Sequence, residues 1–389
     1  MGRLAFVPQL LALILVLQAL PSHSLPKGSA KELCNESKCK PPACRCSGTD
    51  IPGNLAAKDV PQMVLLTFDD AITRLLYNTY YKNILFNRTN PNNCNISTTF
   101  FTTHEYNDYG ATNWLYQQGH EIALHSITHQ PGTDYWKDAS VDTLTKEFIG
   151  QREILKQFAL IPEKDMKGMR TPFLQMAGDN TYQMITENNL EWDCSWPTSQ
   201  FSDPPMWPYT LDYTSQQDCP IPPCPVSKFP GKWVVPMVDW SNDDGIPCSM
   251  VDTCPMIDDP VELFAFIKQN FHRHYDSNRA PFPFFIHAAW FAALPMRFDV
   301  YVQFLDYLES LPDVYIVSVS QMLEWVKNPT ELSKLKDLWK CWSIPETNCA
   351  RPRNCELIRQ DNGETRYMTS CTTCPQVYPW LGNPSGTSS

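Results

Sequence analysis

The stretch Met63-Val64-Leu65-Leu66-Thr67-Phe68-Asp69-Asp70 is an unbroken apolar run that stops on two adjacent acids. A run without polar alternation reads as a parallel strand covered on both faces. Outward from it the pattern repeats. Residues 98–103, 121–124, 166–170, 190–195, 282–287 and 314–319 read as further strands. Residues 140–158, with apolar side chains at 141, 144, 148, 155 and 158 and a Ser140 cap, read as a helix, as do 180–188, 260–274 and 298–311. Alternating β and α elements predict an α/β fold, either doubly wound or a (β/α) barrel, with reactive groups at the C-terminal ends of strands. Asp69, Asp70, His125, Asp193 and His287 all fall at such ends.

The chain has 389 residues and a net charge of -11, which argues against nucleic acid and anionic membranes as partners. Residues 1–24 place Arg3 before an apolar stretch and reach Ser22-His23-Ser24, the pattern of a secretory signal peptide. No later segment approaches the roughly 20 apolar residues of a membrane span, so a secreted, extracellular product without membrane attachment is expected. The 15 cysteines and the sequons at Asn35, Asn87 and Asn95 fit an oxidising, glycosylating route.

The cysteines fall into a group of four within a Cys-rich extension (25–58), four in a Pro-rich insertion (197–258), and five in the tail (340–389). Cys94 and Cys194 lie between. An odd total leaves one cysteine unpaired, and Cys194, in a predicted strand, is the candidate: without it each group of four pairs internally and the tail pairs with Cys94. The catalytic region is expected to span 59–339, with the insertion over one face and the tail wrapped around it.

Chemistry gathers at the acidic doublet. Asp243-Asp244 and Asp258-Asp259 repeat it, but in polar, Pro-rich loops. Two carboxylates at a buried strand end repel unless a cation joins them. His125 and His129, spaced i and i+4 after an apolar strand, supply two imidazoles, and with one carboxylate they make a two-His-one-carboxylate site. Neighbouring strand residues point opposite ways, so one Asp is expected to ligate while the other addresses the attacking water.

Thr67-Phe68-Asp69-Asp70 and His125-Ser126-Ile127-Thr128-His129 resemble the first two motifs of the NodB-type polysaccharide deacetylases, carbohydrate esterase family 4. Arg170-Thr171-Pro172-Phe173, Asp193-Cys194-Ser195-Trp196 and Phe285-Ile286-His287 resemble the third, fourth and fifth. Residues 67–71, 284–291 and 366–382, with the cysteine-rich ends, further resemble the arthropod chitin deacetylases.

The resemblance implies a distorted (β/α) barrel of about seven strands. It implies that Asp70, His125 and His129 hold zinc, another divalent cation such as Co2+ being an alternative. Asp69 would be the base, paired with Arg170, and His287 the acid, oriented by Asp193. The Phe173 N–H would face the oxyanion. A departure from the family is Ser195, where bacterial members place an Asp directly before the motif-four Trp. Trp136, Trp196, Trp240 and Trp290 are candidates to meet sugar rings, Trp196 at the acetyl pocket. The implied protein is a monomeric enzyme acting on chitin or chito-oligosaccharides, without a separate chitin-binding module, as in the gut peritrophic matrix. A silent chitin-associated protein and an O-acetyl esterase on another glycan are the rivals.

Overall fold

The apolar run folds as β1 (Gln62–Asp69), buried along its whole length. The computed structural model describes residue 2, residues 34–341 and residues 349–388, so the expected signal peptide lies outside the described residues. Eight more strands join β1: β2 (Thr99–Thr102), β3 (Glu121–Leu124), β4 (Gly168–Met169), β5 (Trp192–Asp193), β6 (Tyr209–Leu211), β7 (Phe229–Val234), β8 (Phe282–His287) and β9 (Val314–Ile316). Their order is β8-β1-β2-β3-β4-β5-β7-β6. β9 pairs with the first residues of β1 and β2 with the last, so the two share one edge. All pairings are parallel except that of β6 with β7.

The sheet curls on itself. Val64, Leu66 and Phe68 point outward into the core with the helices, whereas Met63 and Leu65 point inward and share a second core with Phe101, Trp192, Trp233 and Phe285 from strands spread across the sheet. Each large apolar side chain buried in this way contributes about 1.5–3 kcal/mol. Among the described residues no pairing joins β8 to β6 or β7, so the barrel is open there.

Two expectations change. Residues 197–258 do not merely cover a face, because β6 and β7 lie within them and extend the sheet. Shortness and Pro-rich flanks conceal these strands in the sequence. The predicted helix over 140–158 does start on a Ser140 cap, but a π-helical turn, Thr145–Ile149, interrupts it between Val141–Leu144 and Gly150–Phe158.

Seven disulfides form, and Cys194 is the buried free thiol. Cys34–Cys46 and Cys39–Cys44 tie the N-terminal extension, which docks through Arg45 onto Thr210 of β6. The tail forms a hairpin, Arg353–Ile358 with Thr365–Ser370, and Cys94–Cys341 fastens its start to the segment before β2. All three sequon asparagines are exposed.

Candidate active site

Asp69 closes β1, and its register partner on β8 is His287. His125 follows β3, Arg170 follows β4, and both reach the same end of the sheet. Alternation along β1 would separate the two acids. Instead the backbone turns left-handed at Asp70 (φ 79°), and both carboxylates meet one imidazole: His125 Nε2 is 3.8 Å from Asp69 Oδ2 and 4.0 Å from Asp70 Oδ1. His129 Nε2 lies 3.5 Å from Asp70 Oδ1.

The donor atoms of Asp70, His125 and His129 all lie within 4.8 Å of one another, a spacing that fits a divalent cation. His125 Nδ1–H donates to the Arg170 carbonyl at 2.8 Å, which leaves Nε2 as the free lone pair. Burial and the neighbouring His129 push His125 down to about 3, so it is a neutral imidazole, the form that ligates.

Asp69 is 3 % exposed and differs in kind from Asp70. Its Oδ1 accepts from the Arg170 guanidinium at 2.5 Å. Arg170 is fully buried, 4.0 Å from the centre of the Phe101 ring and 4.5 Å from that of Phe285, and it also donates to Thr67 Oγ1 and to the Cys194 carbonyl. Burial pushes Asp69 above the usual carboxylate range, and Arg170 pulls it back only in part. Arg170 is itself held up against its own burial by Asp69; a guanidinium does not surrender its proton, so it remains the fixed positive partner.

The partner of His287 is Asp252, not Asp193. His287 Nδ1–H donates to Asp252 Oδ2 at 2.6 Å, and the His287 amide donates to the same oxygen at 3.1 Å. Burial alone would depress His287; the Asp252 hydrogen bond and the carboxylates of Asp69, Asp252 and Asp70 outweigh it and hold the imidazole at about 9. Asp193 is turned the other way: it accepts from Ser195 Oγ at 2.5 Å and from Tyr182. Ser195 Oγ in turn accepts the Thr171 amide at 2.8 Å, so Asp193 braces the loop that carries Phe173.

Asp252 escaped the sequence reading because it sits in an irregular stretch with no hydrophobic period. Its signal was the pair of cysteines around it, Cys248 and Cys254, which close a small ring. Phe173 has a left-handed backbone (φ 57°) and a half-exposed ring 5.1 Å from that of His129. Such a backbone is costly for an aromatic residue and clusters at functional sites.

The indoles do not offer their faces to a sugar. Trp240 is 3 % exposed, stacks on Phe282 and donates to the Pro283 carbonyl. Trp290 is packed among Phe284 and Phe291, Trp196 donates to the Asp218 carbonyl, and Trp136 is fully buried. Each is buried in packing that its large apolar area favours. Phe173 is the exposed aromatic that the site presents.

A buried carboxylate on a guanidinium, a two-His-one-Asp cluster that could hold a metal ion and a histidine held by an acid thus meet at one end of a curled parallel sheet. Residues 56–191 match the model of the Polysaccharide deacetylase family. The chain is 43% identical to chitin deacetylase 8 of Bombyx mori over 381 residues, covering 97% of this chain and 98% of that protein. It is 37% identical to chitin deacetylase 1 of the same insect over 370 residues, covering 91% and 68%. The chain therefore belongs to the polysaccharide deacetylase family, in the group of the insect chitin deacetylases. Among solved structures it is similar to the Xyl-CE4 domain of a multidomain xylanase from the hindgut metagenome of Trinervitermes trinervoides, with 16% identity, a TM-score of 0.38, and 73% and 97% of the two chains covered.

Proposed function

We propose that the protein is a secreted, metal-dependent chitin deacetylase, hydrolysing N-acetyl groups of N-acetylglucosamine units to acetate and free amines. The carrying observation is the division of labour within one pocket: Asp70, His125 and His129 converge as ligands while Asp69 and His287 stand beside them with their own partners. Similarity to insect chitin deacetylases along nearly the whole chain supports the substrate. Asp70 Oδ1, His125 Nε2 and His129 Nε2 would hold the cation, zinc by resemblance. When bound, it supplies a Lewis acid that polarises the acetyl carbonyl and acidifies water.

Amide hydrolysis then needs three further things: removal of a proton from the attacking water, shelter for the oxyanion and a proton for the departing amine. Asp69 Oδ2, the oxygen not taken by Arg170, would accept the first proton. The Phe173 amide is the candidate donor to the oxyanion. His287 presents Nε2 toward the pocket, 3.9 Å from Asp70 Oδ2, and donates to the nitrogen as the C–N bond breaks. Trp196, buried beneath motif four, suits the wall of a small acetyl pocket more than a stacking platform.

Acetate release from chitin oligomers and from acetylated xylan, each with and without a chelator, tests the reading. Chelator-sensitive release from chitin oligomers is expected. Release from xylan alone would reassign the chain to O-acetyl esters, and no release from either would make it a chitin-associated protein without catalysis. No helix among the described residues is long and apolar enough to cross a membrane.

A further inference from the structure

The two metal-binding histidines sit on a loop whose backbone is clamped from below by a pair of side chains. Glu147 is fully buried and lies within the π-helical turn Thr145–Ile149; Gln151 follows one turn later on Gly150–Phe158. Gln151 Oε1 accepts the amides of His125 at 2.8 Å and Ser126 at 2.9 Å. Glu147 Oε2 accepts those of Ile127 at 3.0 Å and Thr128 at 2.9 Å. Four consecutive amides are thus taken by two side chains. Glu147 Oε1 accepts from the hydroxyls of Thr128 at 2.6 Å and Tyr135 at 2.9 Å.

The loop needs holding. Ser126 (φ 81°) and His129 (φ 42°) both have left-handed backbones, which for these residue types cost energy that the surroundings must offset. Among the described salt bridges none involves Glu147. A buried carboxylate compensated only by N–H and O–H donors is a poor device for stability alone, since burying the charge is costly. An interrupted helix is likewise a local cost, and π turns recur beside functional sites.

We infer that Glu147 and Gln151 are positioning residues that preset the His125–His129 loop for its cation and so fix the affinity of the site. The inference rests on the proposed metal reading. Neither residue touches the cation; each acts on it through backbone amides, as the partners of ligands commonly do.

The test measures the Kd for zinc of the full-length, folded protein, by competition with a chromophoric chelator, for the wild type and for Glu147→Ala and Glu147→Gln. Loss of the partner of a ligand typically weakens a metal site by about 10- to 100-fold, and that is the expectation for Glu147→Ala. Glu147→Gln keeps one oxygen for the two amides, and the hydroxyls can turn to accept from its NH2, so it is expected to stay within about threefold of wild type. Activity of Glu147→Ala should return at saturating zinc. A wild-type Kd in folded Glu147→Ala overturns the inference; absence of zinc binding in the wild type overturns the metal reading instead. Should Glu147→Ala fail to fold, Thr128→Val decides: it removes one donor to Glu147 and the acceptor of the Gln130 amide, and an unchanged Kd counts against the inference.

Discussion

Replacing Asp252 by Asn removes one charge from the acid partner and almost no volume. In the structure Asp252 Oδ2 takes both the His287 imidazole at 2.6 Å and the His287 amide at 3.1 Å, and an amide oxygen can take the same two donors. What is lost is the charge assistance. A hydrogen bond to a charged group contributes about 1.5–3 kcal/mol, against about 1 for a neutral one, so the imidazolium form of His287 loses on the order of 0.5–2 kcal/mol. At about 1.4 kcal/mol per factor of ten, kcat falls by roughly 2- to 30-fold; misorientation of the ring adds to that. Asp252 is not among the donors that would hold the metal, so zinc content and KM should hold. The assay is acetate release from a defined chitin oligomer at saturating zinc, with metal content measured on the same sample. A variant within twofold of wild-type kcat would refute the assignment of Asp252 as the residue that orients the acid.

Asp69→Asn should lower turnover by at least about 100-fold, the usual scale of a lost general base, while zinc still binds; loss of the metal in that variant would make Asp69 a ligand instead. Removing Cys94–Cys341, which closes a sequence separation of 247, should cost about 2–5 kcal/mol, seen as a lower denaturant midpoint for the double Ala variant. Burial holds His104, His120 and His274 down at about 3, below the value of about 6.5 they regain on unfolding. Their contribution is therefore complete above pH of about 6.5 and fades as pH falls toward 3, by up to about 1.4 kcal/mol per pH unit for each. Urea midpoints that do not fall between pH 7 and pH 5 would contradict it.

Much of this site is visible in the linear chain because its residues end strands. The apolar run before Asp69 fixes a parallel strand, and the i,i+4 histidines after β3 arrive at the same end by topology alone. What was hidden depends on contacts that no period announces. Asp252 reaches His287 from an irregular ring, 35 residues upstream. Asp193 has the right type and the right strand end, yet its carboxylate is taken by Ser195 and Tyr182, a choice made by side-chain direction. The π turn is invisible because the spacing of Val141, Leu144 and Phe148 suits an ordinary helix. Indoles near motifs look like sugar platforms until their burial is seen.

The ring closed by Cys248–Cys254 bears on how this protein can be produced. Asp69, Asp70, His125, His129 and Arg170 are borne by the parallel sheet and the loops at its rim, but Asp252 sits on the short 3-10 turn Val251–Thr253, inside the ring which that bond closes. Material in which this bond alone is reduced should therefore load zinc and pass a metal assay while its acid lacks a fixed partner. For such a preparation, metal content would overstate the fraction of competent enzyme, and titration of free thiols would be the better index of quality.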